Sequence, residues 1–224
     1  MCVVDHIVVT APSLERGAAF VREVLGVSPD AGGEHARMGT HNRLLRLGDG
    51  CYLEVIAVNP AAAAPARPRW FALDACGADT APALAAWVAR TADIHATLAA
   101  SCEALGSVEP MSRGGLEWLI AIAGDGSLPL GGAAPLLIEW RSEGHPAARL
   151  RDAGLSLAGL EIVHPEPDRV LRLLHSLGVQ GPISVTRARA GSLPGVVAHV
   201  DTPQGRRLLG ARSQASAGNA PGME

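Results

Sequence analysis

Lysine is absent from this sequence, and all 19 basic residues are arginine. That absence removes the Schiff-base nucleophile, the pyridoxal-phosphate anchor and the P-loop phosphate lysine, so three large enzyme classes are excluded. Any substrate anion has to be met by arginine. Aromatic residues are scarce as well: they make up 3% of a 224-residue chain whose hydrophobic content is 48%, so alanine, leucine and valine must build the core. No acidic or basic run occurs and the formal charge is −3. This lacks the electrostatic footprint of a nucleic-acid or membrane-surface binder and leaves a small diffusible ligand as the expected partner.

Paired cysteine motifs are also missing. Cys2, Cys51, Cys76 and Cys102 are widely spaced, with no CxxC, which predicts reduced thiols rather than a disulfide framework. The N-terminus has no charged region followed by a long apolar one, and no apolar run reaches the roughly 18 residues of a membrane span. A cytoplasmic protein is the expectation.

The segments that are present alternate strand and helix. Val3 to Val9 is β-branched enough to be a strand, with one interrupting histidine, His6. Ser13 is placed to cap a helix with apolar positions at Leu14, Ala18, Val21, Val24 and Leu25, which Gly26 ends. Gly32 and Gly33 read as a loop, and strands follow over Arg43–Leu47 and Cys51–Val58 around the turn Gly48-Asp49-Gly50. This is a βαβββ module over 1–60. The Ala/Pro tract 60–68 cannot hold regular hydrogen bonding and opens a linker over 61–82. A second βαβββ module, 83–145, has a strand at Ala83–Arg90, a helix from Ile94 to Leu105 capped by Asp93, and strands near Val108–Ser112, Leu116–Ala123 and Leu136–Arg141. A third βαβββ-like module, 146–212, has strands near Leu157–Val163, Ile183–Arg189, Val196–Val200 and Arg206–Leu209, with a helix at Pro167–Leu177. The small polar stretch 213–224 reads as a disordered tail. The whole is α+β, and matching YLEV with LIEW puts Glu54 and Glu139 at equivalent places in the last strands of the first two modules.

The motifs DHIVV (5–9), GGEH (32–35), GTHNRLLRLG (39–48) and YLEVI (52–56), with LIEW (137–140) and His145-Pro146, resemble the glyoxalase-like domain family of the vicinal oxygen chelate superfamily. The likeness covers about the first 165 residues and carries fold more firmly than reaction. It implies curved mixed sheets, one per module, paired around a cup for a small molecule. It also implies a divalent metal whose ligands fall on His6, Glu54 and Glu139. The fourth ligand position falls on Ala86, which cannot bind metal, so a glutathione-dependent glyoxalase is disfavoured.

One imidazole and two carboxylates suit a borderline or hard divalent ion, with an open position to polarise a substrate oxygen. Without metal, Glu54 and Glu139 are candidate acid/base groups. His35, His41 and Asn42, beside the glycines, are candidate substrate contacts, as are Arg113 and Arg37, whose forks suit a carboxylate, and Trp118 and Trp140 as cup walls. Each has a plainer reading. His6 fits a hydrogen-bonded structural histidine, the loop residues and arginines fit a solvated surface, and the tryptophans fit core packing. The leading expectation is a glyoxalase-like enzyme of lyase, isomerase or dioxygenase type acting on a small oxygenated molecule. The alternative is a metal-free binding or resistance-type protein using the same cup. Open sheet edges make a homodimer the expected assembly.

Overall fold

The valine- and isoleucine-rich run Cys2–Thr10 forms strand β1, which stops before Pro12 and Ser13. Ser13 then caps α1 (Leu14–Leu25) by accepting the Arg16 N–H, and Gly26, at φ 77°, closes it with its own N–H on the Arg22 carbonyl. The apolar stripe of α1 packs Leu14, Val21 and Leu25 against the sheet. β2 (Asp30–His35), β3 (Thr40–Arg46) and β4 (Tyr52–Val58) follow. A second unit repeats the order with β5 (Ala83–Arg90), α2 (Ile94–Ala100), β6 (Ser107–Arg113), β7 (Leu116–Ile122) and β8 (Leu136–Trp140). The computed structural model describes residues 1–210; the stretch 213–224, read as a disordered tail, lies outside the described residues.

In both units the first strand runs parallel to the last, and β1 and β5 join the units edge to edge, antiparallel. The resulting sheet has the order β2-β3-β4-β1-β5-β8-β7-β6. Its two ends curl towards each other until side chains bridge them. Arg37, just beyond β2, donates to the Pro110 carbonyl at 2.8 Å, and Arg113 of β6 meets His35 of β2 at 3.2 Å. Helices cover the outer face, where Ile7, Val9, Leu53, Val55, Trp87 and Leu137 form the larger core. The inner face is a cup walled by Val8, Ala86, Val88, Trp118, Ile120 and Ile138 among others.

Three local expectations change. Gly32 and Gly33 lie within β2, at an irregularity in its pairing with β3 between Ala31 and Glu34, instead of in a loop. The second helix stops at Ala100, not Leu105, because the Ser101 hydroxyl both accepts the Glu103 N–H and donates to its carbonyl, drawing the backbone out of the helix. The stretch read as linker does more than connect: Trp70, Phe71 and Leu73 are buried in a short 3-10 segment, Trp70–Ala75, and join the cup-face cluster.

The C-terminal part contains β9 (Ser156–His164), α3 (Pro167–Ser176), β10 (Val179–Gln180), β11 (Ile183–Arg187), β12 (Gly195–Thr202) and β13 (Gly205–Leu209). Its element order follows the expected theme, but β9 lies inside its sheet, in the order β11-β9-β12-β13, while β10 adds itself to β1. Among the described residues no helix is long and apolar enough to cross a membrane.

Candidate functional site

A β-bulge sets up the site. The pairing of β1 with β5 shifts register between Val4 and His6, so Asp5 is an extra residue in the ladder. Asp5 and His6, consecutive in sequence, therefore meet each other instead of pointing to opposite faces: Asp5 Oδ1 lies 2.7 Å from His6 Nδ1. The other Asp5 oxygen accepts the Trp140 indole N–H at 3.0 Å and lies 2.9 Å from His145 Nε2 and 3.4 Å from Arg90 Nη1. Asp5 is wholly buried. Its hydrogen bonds tie the start of β1 to the end of β8 and the loop beyond it.

On its other side His6 faces β4. Its Nε2 lies 3.5 Å from Glu54 Oε2, and Tyr52 stacks on its ring with centroids 4.5 Å apart. Asn42 of β3 donates to Glu54 Oε1 at 2.5 Å, and its own Oδ1 accepts the Gly33 N–H at 2.9 Å. The glycine pair explains this closeness: the Asn42 carbonyl would stand 2.6 Å from a Cβ at Gly32, and the Arg113 Cδ 2.8 Å from one at Gly33. His35 completes the group. Its Nε2 is 4.0 Å from Glu54 Oε1, its Nδ1 is 3.1 Å from the Thr40 hydroxyl, and Trp70 and Trp118 both meet its ring edge-on.

Charges inside the cup are held by one another. Burial opposes ionisation of Asp5, but its hydrogen bonds to His145 and His6 keep it well below the usual carboxylate range. Burial likewise opposes the charge on His6, yet bonding to Asp5 and Glu54 raises its pKa to about 9. Glu54, pushed up by burial, is brought down to about 2 chiefly by His6, with help from His35 and Asn42. His35 behaves oppositely. Burial, with the charges of Arg113 and His6, outweighs Glu54 and lowers it to about 4, so it is neutral near pH 7. A carboxylate, an imidazolium and a second carboxylate thus stand in line beside a neutral imidazole.

His6, His35, Glu54, Arg113, Trp118 and Trp140 are among the residues around an inner chamber of about 20 Å³, room for one small group. His35 and Trp118 also line a neighbouring outer cleft of about 580 Å³, together with Arg37, Met111, Ser112 and Arg141. Of the residues singled out from the sequence, His6, His35, Asn42, Glu54, Arg113 and Trp118 come together here. Glu139 does not. Its neighbours Ile138 and Trp140 line the chamber, so strand alternation turns Glu139 to the helix face, where Oε2 accepts the Ile94 N–H at 2.8 Å and Oε1 lies 3.1 Å from Arg141. His41 also points away from the chamber: it alternates with Asn42 on β3, and Glu15, Glu34 and Arg43 are the charges that reach it. Sequence reasoning missed Asp5, Tyr52 and Trp70. For Asp5 the signal was an acidic residue next to a histidine inside a β-branched run.

The metal set implied by the motifs requires His6, Glu54 and Glu139, and Glu139 is on the other side of the sheet. A further imidazole beside Glu54, His35, has its Nε2 engaged by the Arg113 guanidinium, a cation where an ion would have to stand. The second unit contributes apolar Val88 and Ile138 to the cup. Among the described residues no group of three or more His, Cys, Asp or Glu side chains is arranged to hold a metal ion. The residues do not fit the implied ion, and no step below runs through one.

Two βαβββ units joined along β1 and β5, with a polar cluster on the concave face, define a glyoxalase-type fold. The glyoxalase-like domain family matches residues 4–178, and the chain belongs to that family. A hypothetical protein from Staphylococcus aureus shares the fold over 96% of this chain and 88% of its own, at 13% identity and TM-score 0.56. Methylmalonyl-CoA epimerase from Mycobacterium tuberculosis aligns over 61% of this chain and 85% of its own, at 16% identity and TM-score 0.38. A triple mutant of 4-hydroxymandelate synthase from Streptomyces coelicolor aligns over 92% of this chain and 62% of its own, at 15% identity and TM-score 0.44. No curated protein matches the chain.

Proposed function

We propose that the protein is an enzyme that moves a proton on a small carbonyl-bearing molecule, with Glu54 as base and the His6 imidazolium as the group that meets the carbonyl oxygen. The carrying observation is the buried contact of His6 Nε2 with Glu54 Oε2 at 3.5 Å, lining a small chamber that shares His35 and Trp118 with a cleft of ligand size. Contact with His6 is what makes Glu54 a weak base. A substrate carbonyl inserted between them takes over the His6 hydrogen bond and returns Glu54 towards ordinary carboxylate basicity. The proton leaves the carbon next to the carbonyl for Glu54, and His6, held by Asp5, stabilises the enolate oxygen. The aromatic walls exclude water from that exchange.

The test is deuterium exchange in D2O, followed by proton NMR, at the carbon next to the carbonyl in a panel of small aldehydes, ketones and 2-oxo acids. Exchange above the uncatalysed rate, reduced about a hundredfold or more by Glu54→Gln, supports the reading. Exchange equal in wild type and Glu54→Gln overturns it, as does stoichiometric co-purified metal whose removal abolishes exchange. A second reading, binding without turnover, is favoured by the apolar half of the cup contributed by Val88 and Ile138. It predicts panel members that bind but never exchange.

A further inference from the structure

The arginines around the cleft differ in one respect. Arg37 and Arg67 share Glu109, and Arg141 lies 3.1 Å from Glu139. Arg113, the arginine that lines the inner chamber, has no carboxylate within 4.0 Å among the described residues; its one hydrogen-bond partner is the ring nitrogen His35 Nε2, at 3.2 Å. A half-buried guanidinium with an imidazole for its neighbour has most of its donors free for a ligand. Its position is built, since Gly33 leaves the space its Cδ occupies and a Cβ there would stand only 2.8 Å away. With no lysine in the chain, anion recognition inside the cup falls to this side chain.

We infer that the ligand is a monocarboxylate whose acid head is held by the Arg113 fork, beside His35, on the side where the inner chamber adjoins the outer cleft. His35 and Trp118 line both spaces: the chamber, at about 20 Å³, admits the one small group that His6 and Glu54 address, and the cleft, at about 580 Å³, leaves room for the rest. A phosphate is the poorer fit, because Glu54 Oε1, 4.0 Å behind His35 Nε2, repels a second negative charge. This narrows the proposed proton-transfer reading to carboxylate substrates such as 2-oxo acids, and it rests on that reading only for what happens after binding.

Binding is measured without turnover, by calorimetric titration with pyruvate and phenylpyruvate, with their neutral counterparts acetone and phenylacetone, and with inorganic phosphate. Wild type is expected to bind at least one acid about tenfold or more tighter than its neutral counterpart and tighter than phosphate. Arg113→Gln should lose that preference, a roughly tenfold to hundredfold weakening for the acid with little change for the ketone. Arg113→Lys, which keeps charge without the fork, should fall between, and equal melting temperatures exclude misfolding as the cause. Equal affinity for acids and ketones, tighter binding of phosphate, or an acid preference that survives in Arg113→Gln overturns the inference. Acid binding that depends on Arg113 without any exchange leaves the inference standing and removes the proton-transfer reading; exchange on neutral ketones that Arg113→Gln does not alter does the reverse.

Discussion

Replacing Glu139 by alanine separates two glutamates that look interchangeable in sequence. In the structure Glu139 serves α2: its Oε2 receives the N–H of Ile94, the first residue of that helix, at 2.8 Å. Alanine leaves that buried N–H without its charged acceptor, a loss of about 1.5–3 kcal/mol. The Arg141 contact adds a few tenths at most, because the arginine is more than half exposed. The net cost is about 2 kcal/mol, and in a chain of this size each kcal/mol corresponds to roughly 2–4 °C, so Tm should fall by about 4–8 °C. The cup should not notice. Thermal unfolding followed by circular dichroism gives the first quantity, and nitrogen-15 resonances of the His6 and His35 rings report the second. Glu54→Gln should displace the His6 and His35 ring signals, whereas Glu139→Ala should leave them in place. An unchanged Tm in Glu139→Ala together with displaced His6 and His35 signals would refute the assignment of this carboxylate to the helix face.

Stability should peak near pH 6.5. His6, raised to about 9, contributes fully below its ordinary 6.5 and loses that contribution as pH climbs through 9. His35, lowered to about 4, acts the other way: below pH 6.5 the unfolded chain takes up a proton that the fold refuses, so stability drops down to about pH 4. Glu54 and Asp5, both depressed, carry the fall further as the medium becomes more acidic. Urea midpoints between pH 4 and 9 check this, and a steady rise towards pH 9 contradicts it. The two neighbouring glycines should also differ. Gly32→Ala puts a Cβ against the Asn42 side chain and backbone, which cannot easily retreat, and should cost roughly 1–3 kcal/mol. Gly33→Ala meets the flexible Arg113 stem and should cost less in stability; equal losses in a thermal-shift comparison count against this reading.

Much of the architecture was legible because it rests on local chemistry. Ser13 and Gly26 bound α1 as a cap and a left-handed stop, and β1, β4 and β5 follow β-branched or apolar runs whose limits the sequence marks. The grouping of first-unit residues in the candidate site was legible too, since His6, His35, Asn42 and Glu54 sit in dense motifs within fifty residues. Arg113 lies far from them in sequence. Only the curl of the sheet, which brings β6 round to β2, puts it beside His35, and no local pattern encodes that approach.

The misplacement of Glu139 has a different origin. Strand side chains alternate, so an alignment by letters that is wrong by one residue moves a side chain to the opposite face. YLEV and LIEW align well as text, yet Tyr52 and Glu54 face the cup whereas in β8 it is Ile138 and Trp140 that do. The bulge at Asp5 is the same effect in reverse. One extra residue in β1 lets Val4 and Ile7, three apart, pack with the helix-face core, and the carboxylate and imidazole between them bond to each other. A pattern-based reading expects Asp5 and His6 on opposite sides and therefore assigns chemistry to one of them. The second acid of this site is consequently the residue next to the histidine, not the matching glutamate of the other unit. It contacts His6 from behind and leaves the other side of the ring to Glu54, so strands of the first unit supply both acids that the letter match divides between two modules.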